Sequence, residues 1–142
     1  MNRQEIFKWV KEQYGTEPDY PWQDTNAVLR HRRNNKWYGL IMSVGRDKLG
    51  LSGKGEIEIL NLKCDPEMIG FLRTRPGFLP AYHMNKEKWI SILLEDTVSD
   101  VLTVPEAPVG HEDEIKNLIH MSYGLTEPKR RQKKTTKKTA NK

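Results

Sequence analysis

The sequence predicts an α+β domain: an antiparallel sheet with helices packed on one face. Three observations carry that prediction. Apolar residues recur at helical spacing near both ends of the chain. Between them lie alternating or β-branched runs joined by short turn signals. The elements do not alternate strictly as strand and helix, so the strands are expected to pair antiparallel. The expected order is α-β-β-β-(β)-α-β-α.

The first helix opens at Asn2, with Glu5 three residues on completing a capping box. Ile6, Phe7, Trp9, Val10 and Tyr14 share one face, and Gly15 ends the run. "TEPDYPWQD" is a loop, because its prolines and acids oppose regular structure. "AVLRHRRNNKWYGLIMSV" reads as a hairpin turning at Asn34-Asn35, since asparagine tolerates the positive φ of a tight turn. "GRDKLGLSGKGE" is turn-like, with a short strand expected at Leu49–Leu51.

"EIEILNLKC" alternates, with Ile57, Ile59 and Asn61 facing one way and Glu56, Glu58, Leu60 and Leu62 the other. That predicts a strand with one end mostly solvated. Asp65-Pro66-Glu67 starts a second helix, with Asp as N-cap and Pro at the first helical position. Met68, Ile69, Phe71 and Leu72 are expected to be its buried stripe, and Pro76-Gly77 to stop it. "KWISILLE" fits either period, and its β-branched residues favour a strand. The last helix is expected over His111–Tyr123, burying Ile115, Leu118, Ile119 and Ser122, with Gly124 as terminator.

At 142 residues the chain is one domain. A chain of this size buries roughly 65–70% of its unfolded surface, enough for a core without staples. The formal charge of +5 is unevenly spread. Eight of the 24 basic residues lie between Lys129 and Lys142, where there is no acid; the remaining 16 face 19 acids, a net −3. The reading is therefore a domain over residues 1–127 and a disordered polybasic tail over 128–142, with nothing apolar to bury. Such a tail either adds non-specific phosphate attraction or is merely solvated. No apolar run is long enough to span a bilayer, and the charged start "MNRQEIFKWVKEQ" is not a signal-peptide pattern. A cytoplasmic monomer without membrane contact is expected.

Several chemistries find no support. Cys64 is the single cysteine, so neither a disulfide framework nor a Cys-x-x-Cys knuckle is available. His31, His83, His111 and His120 lack metal-ligand spacing, and no metal or cofactor is expected. "GLSGKG" has the glycines of a phosphate loop without their order. Glu56 and Glu58 read as the polar face of a strand. The expectation is a non-catalytic protein.

Two stretches can bind a partner. The hairpin carries Arg30, His31, Arg32, Arg33 and Lys36, followed by Trp37 and Tyr38. Guanidinium groups hold phosphate bidentately and aromatics stack on bases; equally, Trp37 and Tyr38 can be core. "PAYHMNKEKWISI" gathers Tyr82, His83, Asn85, Lys86, Lys88 and Trp89. It is either a binding loop or the hydrogen-bonded rim of a core.

"NLKCDPE", "LRTRPGFLPAYHMNKEKWISILLE" and "IKNLIHMSYGL", in this order after "YPW", resemble the MmcQ/YjbR family of small bacterial proteins. The likeness covers about residues 2–126. Its most specific part is P-x-Y-H-x-N-K-x-x-W, here Pro80, Tyr82, His83, Asn85, Lys86 and Trp89, supported by Ser122, Tyr123 and Leu125. The resemblance implies a frataxin-like fold and DNA binding through a double-wing arrangement. It also brings frataxin-type iron binding to mind, but the first helix sets Glu5 and Glu12 against Arg3, Lys8 and Lys11 and so lacks an acidic ridge.

Two readings follow. In the first, Arg30, Arg32, Arg33, Lys36, Lys86 and Lys88 contact double-stranded DNA, with Tyr82, His83 and Trp89 as a stacking floor. In the second, the loop Pro80 to Trp89 lines a cleft for a small ligand or a protein partner, with His83 and Asn85 as anchors.

Overall fold

The computed structural model describes residues 1–94 and 112–128. Helix α1 (Arg3–Tyr14) leads into strands β1 (Ala27–Arg30) and β2 (Trp37–Gly45), a 3₁₀ turn (Arg46–Leu49) and β3 (Glu56–Lys63). Helix α2 (Pro66–Leu72), β4 (Phe78–Pro80), β5 (Trp89–Leu93) and α3 (Glu112–Thr126) follow. The five strands form one antiparallel sheet in the order β1-β2-β3-β5-β4. The α+β class and the single helix-covered face are as the sequence predicts.

Local signals act where they were expected. Asn2 accepts from the Glu5 amide and the Glu5 carboxylate returns to the Asn2 amide, closing the capping box. Gly15 ends α1 at φ 71°, a conformation only glycine adopts freely. Asp65 caps α2 by accepting from the Glu67 amide. Asn35 takes φ 60° in the hairpin loop.

The main core lies between the sheet and the helices. Ile6 and Val10 of α1, Ile69 and Leu72 of α2, and Ile115, Leu118 and Ile119 of α3 pack on Leu29, Ile41, Leu60, Leu62, Ile90 and Ile92. Burial of such side chains contributes about 1.5–3 kcal/mol each. Arg3, also buried, reaches Glu58 at 2.7 Å and donates to the Thr25 carbonyl, tying α1 to β3. Glu58 is thus half of a buried-edge ion pair rather than part of a solvated face.

Four expectations need correction. At the predicted strand Leu49–Leu51 there is none: Leu49 ends the 3₁₀ turn, Gly50 caps it and Leu51 follows, and the fifth strand is Phe78–Pro80. The expected solvated end of β3 is there at Glu56, but the polar face read from Glu56 and Glu58 does not extend further. The rest of both faces is largely buried, because the glycine-rich segment folds back, with the Arg46 amide donating to the Gly55 carbonyl and the Leu51 amide to the Arg46 carbonyl. Leu51 then covers Val44, Ile57, Ile59 and Leu93 in a second small core. On α2 only Ile69 and Leu72 are buried, while Met68 and Phe71 are 38% and 65% exposed. Seven residues make two turns, and i, i+3 fits one narrow stripe. Helix α3 runs through Gly124 to Thr126, so that glycine is not a terminator. The predicted start at His111, the proline-bearing loop before it and the basic tail lie outside the described residues.

One irregularity shapes the functional end of the sheet. Between Leu29 and Arg30 the β1–β2 register shifts, leaving Tyr38 as the extra residue of a bulge. The bulge swings Tyr38 onto the helix side, where it is fully buried with Leu29 and Ile41. The β2–β3 ladder stops at Gly39 opposite Leu62. Beyond it, the Ser122 hydroxyl accepts from the Lys63 amide at 2.9 Å and donates to the Tyr38 carbonyl at 2.6 Å. A side chain of α3 therefore supplies the next rung.

Candidate functional site

Two loops leave the same end of the sheet. Residues 31–36 join β1 to β2, and residues 81–88 join β4 to β5. By strand spacing their centres are roughly 14 Å apart across β3. They lean to opposite sides of the sheet.

The hairpin loop leans towards α3. Its base is closed by the His31 amide donating to the Lys36 carbonyl at 2.9 Å and the Asn35 amide to the His31 carbonyl at 3.0 Å. The buried His31 ring donates from Nε2 to the Tyr123 carbonyl (3.0 Å) and the Thr126 hydroxyl oxygen (2.9 Å). The Thr126 proton goes to the Ser122 carbonyl at 2.8 Å, which assigns the Nε2–H tautomer. Asn34 Nδ2 donates to the Thr126 carbonyl at 3.1 Å. These bonds fasten the last turn of α3 to the loop. Burial, then the Lys36 charge, hold the His31 imidazole below its ordinary value.

An aromatic cluster backs this attachment. Tyr14 stacks on Tyr123 with centroids 3.8 Å apart, and Tyr38 meets both edge-on. The Tyr38 hydroxyl donates to Thr16 at 2.6 Å, and the Tyr14 hydroxyl lies 2.8 Å from His120 Nδ1. Burial raises all three phenols, Tyr14 to about 12, so none ionises near neutrality. The cluster is structural.

The loop's cations remain outside. Arg32, Arg33 and Lys36 are exposed, and no carboxylate among the described residues forms an ion pair with them. Arg30 is paired with Asp19, and Lys11 with Glu17. Arg30, Arg32, Asn35, Lys11 and Asp19 border an open depression of about 560 Å³ beside Gly15 and Thr16. Trp37 and Tyr38 divide between the two alternatives: Tyr38 is core, whereas Trp37 is half-buried and meets Trp22 edge-on.

The other loop is bound inward. Asn61 and Ser91, both wholly buried, face away from the helices. Ser91 donates to Asn61 Oδ1 and accepts from the Tyr82 amide at 2.9 Å, while Asn61 Nδ2 donates to the Tyr82 carbonyl at 3.3 Å. Tyr82 packs on the second core. Asn85 is a turn-former: its side chain accepts from the Glu87 amide at 2.8 Å and its carbonyl from Lys88 and Trp89. The Lys88 carbonyl accepts from Cys64 at 2.8 Å. Trp89 opens β5 opposite Lys63. His83 is exposed at φ 59°, its ring edge-on to Tyr82. A cleft of about 280 Å³ is lined by Tyr82, Lys86, Lys48 and Leu49; His83 is not at its centre. So the structure brings Lys86 to Lys48, not to Arg30 and Arg32.

Cys64 is buried, and burial followed by the Asp65 charge raises its thiol. Among the described residues no three His, Cys, Asp or Glu side chains group to hold a metal, and no described helix is long and apolar enough to cross a membrane. Sequence reading missed Trp22 and Thr126, and it saw Asn34 only as a turn residue, not as a tie to α3. A tryptophan in a polar, proline-bearing loop was the available signal for the first.

The YjbR family model matches residues 11–125. The uncharacterized protein YyaQ of Bacillus subtilis is 54% identical over 128 residues, covering 89% of this chain and 98% of that protein. A crystal structure of a Pseudomonas syringae protein superposes with a TM-score of 0.78 at 41% identity, covering 89% of this chain and all of the other. A Deinococcus radiodurans protein shares the fold at a TM-score of 0.56 and 22% identity, over 94% of this chain and 80% of its own.

Proposed function

This chain belongs to the YjbR family, and within it we propose a non-catalytic, cytoplasmic DNA-binding protein whose contact surface is the hairpin loop together with the basic segment that follows α3. The observation that carries this reading is the fastening of Thr126 to Asn34 and His31. It sets the end of α3 against the loop that carries Arg32, Arg33 and Lys36, and in sequence eight basic residues follow within 129–142. Asn34 and Thr126, 92 positions apart in sequence, thereby share one corner. The like charges of Arg32, Arg33 and Lys36, in one loop, repel each other, and a polyanion relieves that repulsion. Glu127 is the acid at this corner. Lys86 and Lys88, at the same end of the sheet, suit a second contact along the duplex. The rest of the loop Pro80–Trp89 acts mainly as scaffold, since the backbone of Tyr82 and the side chain of Asn85 are spent on the protein itself.

Fluorescence anisotropy with duplex DNA at about 50 and 200 mM salt tests this. The full chain is expected to bind with a steep salt dependence. A chain ending at residue 128 binds more weakly but measurably, and Arg32→Ala/Arg33→Ala/Lys36→Ala in that chain abolishes what is left. If the truncated chain has no affinity, the folded domain is not a DNA-binding module.

A further inference from the structure

We propose that Trp22 and Trp37 form a stacking platform for unpaired bases, so that the preferred nucleic acid is single-stranded or locally opened rather than closed duplex. This rests on the DNA-binding reading above and names the form of the ligand. Trp22 is 47% exposed and Tyr20, two residues before it, 43%. Large aromatic surface left in water needs a reason, because indole is costly to hydrate and ordinarily buries its apolar body.

The exposure is not that of a loose loop. Asp19 and Val28 exchange backbone hydrogen bonds at 3.0 and 2.8 Å, and the Gln23 amide donates to the Tyr20 carbonyl at 3.2 Å. Trp22 then meets Trp37 edge-to-face, with centroids 5.7 Å apart and planes at 89°. Two perpendicular indoles make a corner: a flat ring lying on one turns its edge to the other. Such a site is ordered before the ligand arrives, so little entropy is lost in using it.

Charge specifies the occupant. Trp37 follows Lys36 in sequence and is the register partner of Arg30. Arg32, in the same loop, borders the depression that Arg30 also lines. Arg30 is paired with Asp19, which leaves the exposed Lys36 and Arg32 of the adjoining loop as the cations for phosphates. An aromatic corner next to such a loop matches a chain of alternating bases and phosphates. In closed duplex, internal bases have both faces covered by their neighbours, so an indole gains nothing from them. Unpaired bases offer a free face.

The test uses the full chain with an oligothymidylate of about 15 nucleotides and a duplex of equal length. Trp22→Ala is expected to weaken oligothymidylate binding about tenfold and leave duplex affinity within about twofold. Trp22→Phe retains most of the single-strand affinity. A thermal melt matching the parent protein checks the fold. Undiminished single-strand binding by Trp22→Ala overturns the platform while the DNA-binding reading stands. An equal loss on both ligands also overturns it, since stacking cannot produce that. If the parent binds neither DNA, both readings fall, and the aromatic corner belongs to a protein contact.

Discussion

The two loops at one end of the sheet are built to opposite plans. In residues 81–88, Tyr82 and Asn85 are engaged by the protein's own groups, and Asn61 and Ser91 give up core volume to hold them. In residues 31–36, His31 and Asn34 are engaged inward, while Arg32, Arg33 and Lys36 are presented to solvent. The richer-looking stretch of sequence is thus the better-satisfied one. Residue types that suit a binding site also suit the anchoring of a loop, and only the hydrogen-bond partners tell the two apart.

That contrast can be broken by substitution. The largest effect is expected at Asn61→Ala, which strands the Tyr82 carbonyl and the Ser91 hydroxyl in a dry interior. A loss of about 3 kcal/mol in chemical denaturation is expected, with DNA affinity of the folded fraction unchanged. Ser122→Ala removes the side-chain rung between Tyr38 and Lys63 and should cost about 2 kcal/mol by the same measurement. His83→Val forces a β-branched residue into the left-handed region and should cost about 1–2 kcal/mol, whereas His83→Gly costs none. If His83→Val is harmless but blocks binding, the loop is a site after all.

Smaller effects sharpen the hairpin side. Burial holds the His31 imidazole below its ordinary 6.5, which favours its neutral form in the fold. Below that pH the unfolded chain takes up a proton that the folded one resists, so stability falls on acidification through about 6.5 and is fully present above it. Thermal melts between about pH 5 and 7.5 should show this slope, and His31→Gln should remove it. Gly124→Ala should stabilise by about 0.5–1 kcal/mol, because the position is helical and nothing crowds an added methyl. Destabilisation there would mean that α3 ends earlier.

Much of the fold was legible because its signals are local. Asn2 and Glu5, Asp65 and Pro66, and Asn35 in its loop each act within one turn of chain, so residue type alone placed α1, α2 and the hairpin. Gly124 and the Met68/Phe71 stripe misled for the complementary reason: whether a glycine ends a helix, or an apolar residue is covered, depends on neighbours that the local pattern does not name. The family resemblance, read from the Pro80–Trp89 and Ser122–Leu125 motifs, agrees with the family match.

By itself, then, the sequence determined helices α1 and α2 with their N-caps, the hairpin, β3 and β5, the α+β class and the uneven division of charge along the chain. Only the tertiary structure decided that β3 is covered on both faces, that a bulge sends Tyr38 inward, that Trp22 rests against Trp37, and that Thr126 is tied to Asn34. The physical reason is separation. Periodicity and capping act within a few residues, whereas these contacts join positions up to 92 apart, and their geometry exists only once the sheet has set its register.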